Sequence, residues 1–228
     1  MNLSQRRPGP ELKGPPIFNA PPVILWLCGI ILVCSVIFFL LSPELQYRAF
    51  RHLAIIPDLF LMQFQGDDVQ PSLAGLLPLV THALLHADFM HLLLNLGFLL
   101  AFGTVVERSC GGLQMLIIFV MSAVVGATVQ VWSMGLVQIP VIGASGGVYG
   151  LMGATMSLMI REKIEARLRR VVHVIVIMML LNLFFAVTGV FDMLSGTQVA
   201  WAAHFGGFAA GALLGAFGGK SRTLDKEA

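Results

Sequence analysis

The sequence predicts an all-α, polytopic membrane protein: a bundle of six transmembrane helices with a water-accessible cavity open to the outer side. Three observations lead to that fold class. First, 57% of the 228 residues are hydrophobic and 11% are charged, the proportions of an integral membrane protein rather than of a soluble domain. Second, six apolar segments follow one another between 23 and 219. Third, of the 14 Lys and Arg residues, all but Arg48 and Arg51 fall in the segments that one orientation places on the cytoplasmic side. A net charge of +2 gives no reason to expect nucleic acid as a partner. Cys28, Cys34 and Cys110 form no disulfide framework and read as small buried hydrophobes.

Residues 1–22 are polar and rich in proline, which predicts a flexible cytoplasmic tail. The run that follows lacks a small-residue cleavage site, so it is not a signal peptide. Residues 23–41 carry no charge and are long enough for a first span. Residues 42–89 form a long connection with Glu44, Asp58, Asp67, Asp68 and Asp88. Within it Leu45, Ala49, Phe50, Leu53 and Ile56 recur at helical spacing opposite Arg48, Arg51 and His52, which predicts a helix lying on the membrane surface.

Five further apolar segments cover 90–106, 113–134, 145–160, 171–191 and 199–219. The segments 90–106 and 145–160 are short for a span, which calls for a thinned membrane or for ends inside a cavity. A single membrane domain therefore covers 23–219, with a second cytoplasmic tail at 220–228 and no internal repeat. The inner side gathers Arg6, Arg7 and Lys13, then Arg108, then Arg161, Lys163, Arg167, Arg169 and Arg170, then Lys220, Arg222 and Lys226. Both termini are thus expected in the cytoplasm, and the basic run 161–170 is expected to touch anionic lipid. The short N-terminus without a transit peptide points to a bacterial inner membrane.

The depth of one serine raises a chemical question. Residues 145–160 make about 24 Å of helix, less than the ~30 Å hydrocarbon core. With Arg161 at the cytoplasmic face, Ser145 opens its helix below the outer surface, where only a water-filled cavity makes a hydroxyl tolerable. Its candidate base is His204, six residues into 199–219 and so about 9 Å down from the outer end. Gly146, Gly150 and Gly153, with Gly207, Gly211 and Gly215, allow these two helices to approach closely. Such a stripe alone only packs helices, with Ser145 as one more small residue. The histidine at matching depth makes Ser145 a candidate nucleophile.

His91 and Asn95 are four apart and project from one helix face. They fit either a helix–helix hydrogen-bonded pair or donors to an oxyanion, as acyl transfer needs. Tyr149, one turn after Ser145, either fills core or packs under the base. His82 and His86, with Asp88 and His91 nearby, have zinc-like spacing. The glutamate of a His-Glu-x-x-His metalloprotease is replaced by Ala83, so neither a metal nor a cofactor is expected. His173 reads as structural, and Asn182, midway along 171–191, needs a partner on a neighbouring helix.

His91-Leu-Leu-Leu-Asn95, Gly103-Thr-Val-Val-Glu107-Arg-Ser-Cys-Gly111, Gly143-Ala-Ser145-Gly and Ala203-His204-Phe-Gly-Gly207 together resemble the rhomboid intramembrane serine proteases. Four motifs in the family's order are specific where a lone Gly-x-Ser-Gly is not. The resemblance implies a Ser145–His204 dyad without an acidic third member and an oxyanion hole of His91 and Asn95. It also implies a stacking role for Tyr149, a supporting role for Gly143 and a structural role for Glu107. In that reading His82 and His86 are hydrogen-bonding groups near the outer interface. Its substrates are transmembrane proteins, which enter between segments two and five beside 192–198. Many family members carry a Trp-Arg pair in the first loop, where this chain has Leu76-Leu77-Pro78-Leu79. A non-catalytic rhomboid-like protein that escorts membrane helices is the alternative, but such relatives generally lack the serine or the histidine. A small transporter would need an ionic relay that these spans do not contain.

Overall fold

The structure is a computed structural model and describes residues 20–64, 72–161, 165–190 and 200–217. Most of both tails, Asp67, Asp68, Lys163 and the 192–198 loop lie outside the described residues. Ten α-helices and a 3-10 turn are present among the described residues, with only an isolated bridge between Ile55 and Val141 in place of a strand.

Helix α1 (Pro22–Leu40) starts at a proline, whose missing N–H costs nothing in a first turn. Ser42 then caps α2 (Pro43–Leu53), accepting from the Leu45 N–H. No residue of α2 is buried, in keeping with its two-faced pattern. Its Phe50 ring meets Phe38 edge-on at 4.9 Å, which fastens α2 to the end of α1. The chain continues through α3 (Pro57–Met62), α4 (Leu73–Leu76), α5 (Pro78–Thr81) and the 3-10 turn His82–Leu84. Periodicity gave no sign of these pieces, because four to six residues complete too few turns to show it.

Helix α6 (Phe89–Cys110) runs 22 residues, so the expectation of a short second span does not hold. Charge ended the sequence segment at 106, but the helix carries Glu107 and Arg108 inside it. Glu107 is buried because it accepts from the Val23 N–H at 3.0 Å and the Ile24 N–H at 2.7 Å. These are free donors in the first turn of α1, and a carboxylate suits that positive end. Gly111 and Gly135, at φ 90° and 66°, close α6 and α7 (Gly112–Met134) with a backbone that other residues adopt reluctantly.

Helix α8 (Ser145–Arg161) is the most enclosed element, without an exposed residue from Ser145 to Met159. Helices α6, α7 and α10 (Trp201–Phe217) pack around it, and α9 (Glu165–Thr188) lies outside. The approach of α10 is set by glycine. A Cβ on Gly211 would overlap the Gly150 carbonyl, and one on Gly207 the Gly146 carbonyl. Ser157 Oγ adds a hydrogen bond to the Ala212 carbonyl at 2.8 Å. On the outside, Trp26, Ile37, Leu40, Leu113 and Trp132 are exposed. Helices α1, α6 and α7 are long and apolar enough to cross a membrane. The chain is an integral membrane protein.

Candidate active site

Ser145 is presented by a short pinned segment. Val141 and Ile55 exchange backbone hydrogen bonds at 2.7 and 3.2 Å, and the Gly143 N–H donates to the His82 carbonyl at 2.9 Å. The Ala144 N–H points at His86 Nε2 at 3.4 Å. Gly143 sits at φ 114°, and a Cβ there would lie 2.9 Å from Cε1 and Nε2 of His91. Backbone and neighbour therefore both require glycine at this position. The same point is 3.9 Å from Ser145 Oγ, so the His91 ring and the serine hydroxyl border one space. Ser145 is the half-buried first residue of α8, at the positive end of the helix, where first-turn N–H groups have no partner within the helix itself.

His204 lies in the first turn of α10, which begins at Trp201. It is therefore about 4.5 Å along the helix from its start. The turn is held by the Ala203 N–H, which donates to Gln130 Oε1 of α7 at 3.0 Å. Gly126 of α7 packs against the Ala203 carbonyl.

Across the α8–α10 contact, His204 Nε2 and Ser145 Oγ are 2.9 Å apart. Tyr149 and His204 stack with ring centroids 4.2 Å apart and planes 5° from parallel. The structure thus gathers Ser145, His204, Tyr149, Gly143 and His91. Asn95 is buried on the same face, but one of its two amide hydrogens is held on its own helix by the His91 carbonyl at 2.9 Å.

Sequence reasoning missed what Asn182 touches. Its Oδ1 is 2.7 Å from His204 Nδ1, and its Nδ2 donates to the Trp201 carbonyl at 3.3 Å. The only signal in the sequence was a lone amide in an apolar segment, and that signal does not name a partner.

His82 and His86 both have protein partners. His82 Nδ1 donates to the Pro78 carbonyl at 2.9 Å. With Nε2 of His86 facing the Ala144 N–H, its proton sits on Nδ1, which donates to Ser35 Oγ at 2.9 Å. The Ser35 hydroxyl donates onward to the Leu84 carbonyl at 3.1 Å. Burial pulls His82 down to about 4. Burial, then the neighbouring His91, pulls His86 down to about 3. Asp88 caps α6 by accepting the His91 N–H at 2.8 Å. Among the described residues, no group of three or more His, Cys, Asp or Glu side chains is arranged to hold a metal ion.

An imidazole nitrogen at hydrogen-bond distance from a serine hydroxyl can take its proton as the oxygen attacks a carbonyl. The model of the rhomboid domain family matches residues 74–221, a span that includes Ser145 and His204. The rhomboid protease GlpG of Haemophilus influenzae is 27% identical over 165 residues, which is 72% of this chain and 80% of that protein. GlpG of Pectobacterium atrosepticum is 35% identical over 134 residues, 59% of this chain and 45% of its own length. RHOMBOID-like protein 5 of Arabidopsis thaliana is 30% identical over 132 residues, 58% of this chain and 40% of its own.

Proposed function

Because the chain belongs to the rhomboid family, we propose that it is an intramembrane serine endopeptidase that cuts transmembrane helices of substrate proteins near the outer membrane face. The single observation that carries this reading is the 2.9 Å approach of His204 Nε2 to Ser145 Oγ. The stacked Tyr149 and the opening of α8 at Ser145 support it.

In the proposed reaction His204 Nε2 takes the Ser145 proton while Oγ bonds to the carbonyl carbon of the substrate. The oxyanion that forms is stabilised by the Ser145 N–H at the positive end of α8 and by donors from His91 and Asn95. The tetrahedral species collapses, the C–N bond breaks, and the imidazolium gives its proton to the leaving amine. Water then attacks the acyl-enzyme, passing a proton to His204, and the acid product leaves as Ser145 recovers its hydrogen.

The reading comes with a six-span topology for residues 23–219, formed by α1, α6, α7, α8, α9 and α10. Residues 1–22 and 220–228 are cytoplasmic tails, and the cavity holding Ser145 opens outward. The basic residues flanking α8 and α9 support that orientation, and the fit is to a bacterial inner membrane. Substrate helices enter beside α9, and anionic lipid meets the 161–170 segment.

The test is covalent labelling of the purified protein in detergent by a fluorophosphonate. Peptide mapping is expected to find the adduct on Ser145, with none in Ser145→Ala and much slower labelling in His204→Ala. Equal labelling of Ser145→Ala would overturn the nucleophile assignment.

A further inference from the structure

We infer that Asn182 is a positioning residue for this reaction, its Oδ1 holding His204 in the tautomer whose Nε2 lone pair faces Ser145. This rests on the proposed protease reading and adds to it a third member, an amide rather than an acid.

Burial comes first. Asn182 is 3% exposed, although its neighbours Leu180, Leu181, Leu183 and Phe184 on α9 face outward. A buried amide without partners is costly, so its orientation follows from what it meets. The Trp201 carbonyl, 3.3 Å from Nδ2, can only accept a hydrogen bond, so the end of the amide facing it is NH₂. That leaves Oδ1 facing His204 Nδ1 at 2.7 Å. An amide oxygen has no hydrogen to give, so the proton of the neutral ring sits on Nδ1. Nε2 is then unprotonated and stands 2.9 Å from the serine hydroxyl that it must deprotonate.

Tyr149 cannot do this alone. A ring stacked face to face fixes the plane of the imidazole, yet turning the ring over within that plane preserves the stack and exchanges its atoms. Only a partner that meets Nδ1 itself, as Asn182 Oδ1 does, selects both the productive ring orientation and the tautomer. Once His204 has taken the serine proton, the same amide oxygen faces an N–H on a positively charged ring, where a hydrogen bond is stronger.

The experiment compares the full chain with Asn182→Ala, Asn182→Asp and Ser145→Ala in proteoliposomes carrying one transmembrane substrate. It measures kcat, KM, the pH profile of kcat/KM and thermal stability. Among the described residues, the other titratable groups close to His204 are Tyr149, stacked on it, and His91, and both are unchanged in all variants. Asn182→Ala is expected to lower kcat by about tenfold to a hundredfold with KM altered less than about twofold. Asn182→Asp keeps the acceptor, so it recovers kcat, and its carboxylate moves the acidic limb of kcat/KM to higher pH. Should Asn182→Ala fail to fold, the acidic limb of Asn182→Asp decides. Unchanged kcat in Asn182→Ala, or an unmoved limb in Asn182→Asp, overturns the inference while a dead Ser145→Ala leaves the protease reading standing. A fully active Ser145→Ala overturns that reading itself.

Discussion

His91 sits over Gly143 beside the serine, and in the proposed reaction it is a candidate donor to the charge that would form on attack by Ser145. Asn95 shares its helix face and keeps one N–H on the His91 carbonyl. Loss of one oxyanion donor costs about 10²–10³ in kcat, so His91→Ala and Asn95→Ala are each expected to slow turnover by that factor with little change in KM. Wild-type turnover in both would return them to helix packing. Ser145, Tyr149 and their glycines were legible because they lie in one stretch, where spacing alone puts 145 and 149 on adjacent turns. His204 was legible as a histidine in an apolar segment. Asn182 was visible as a residue but not as a partner. The rotation of α9 about its axis decides which helix its amide meets, and no pattern along the chain encodes that rotation.

Two elements carry Ser145 to His204, and their separation is set by backbone contact at glycine. A Cβ at Gly211 would overlap the Gly150 carbonyl, whereas one at Gly97 on the exposed face of α6 meets nothing within 4 Å. Gly211→Ala is therefore expected to lose about 1–3 kcal/mol, read as a lower thermal midpoint in detergent, together with proteolysis. Gly97→Ala should match wild type or exceed it slightly, as Ala outdoes Gly in a helix. Equal midpoints for the two variants would contradict the close α8–α10 approach. This contact was legible from the four-residue glycine spacing, whereas the true lengths of α6 and α9 were not. Their ends carry charges that stay helical by capping another helix or by reaching beyond the apolar segment.

The short segment from Pro78 to His86 makes a separate prediction about acid. An unfolded chain protonates its histidines at the ordinary 6.5, but in the folded protein burial holds His82 at about 4 and His86 at about 3. The unfolded state therefore binds more protons below pH 6.5. Stability is level above that value and falls as the pH drops through it toward 3. Thermal midpoints taken between pH 8 and about pH 3, which covers both titrations, should show this decline. His82→Gln and His86→Gln should flatten it, and an unaltered slope in both would assign the acid sensitivity elsewhere.

At the scale of the whole molecule, composition and charge placement disclosed a membrane protein before any motif was considered, because lipid imposes segment length and loop charge directly. The first connection was less legible. Its helices are short, and they are held by long-range bonds such as Thr81 Oγ1 to the Leu53 carbonyl, which leave no periodic trace. What the molecule does as a whole is tested most directly by giving it a transmembrane substrate in proteoliposomes and determining product masses. The account predicts one cut near the outer end of the substrate span, abolished in Ser145→Ala and in His204→Ala while both variants keep their thermal midpoints. A cut at the cytoplasmic end, or cleavage that survives the loss of Ser145, would contradict it.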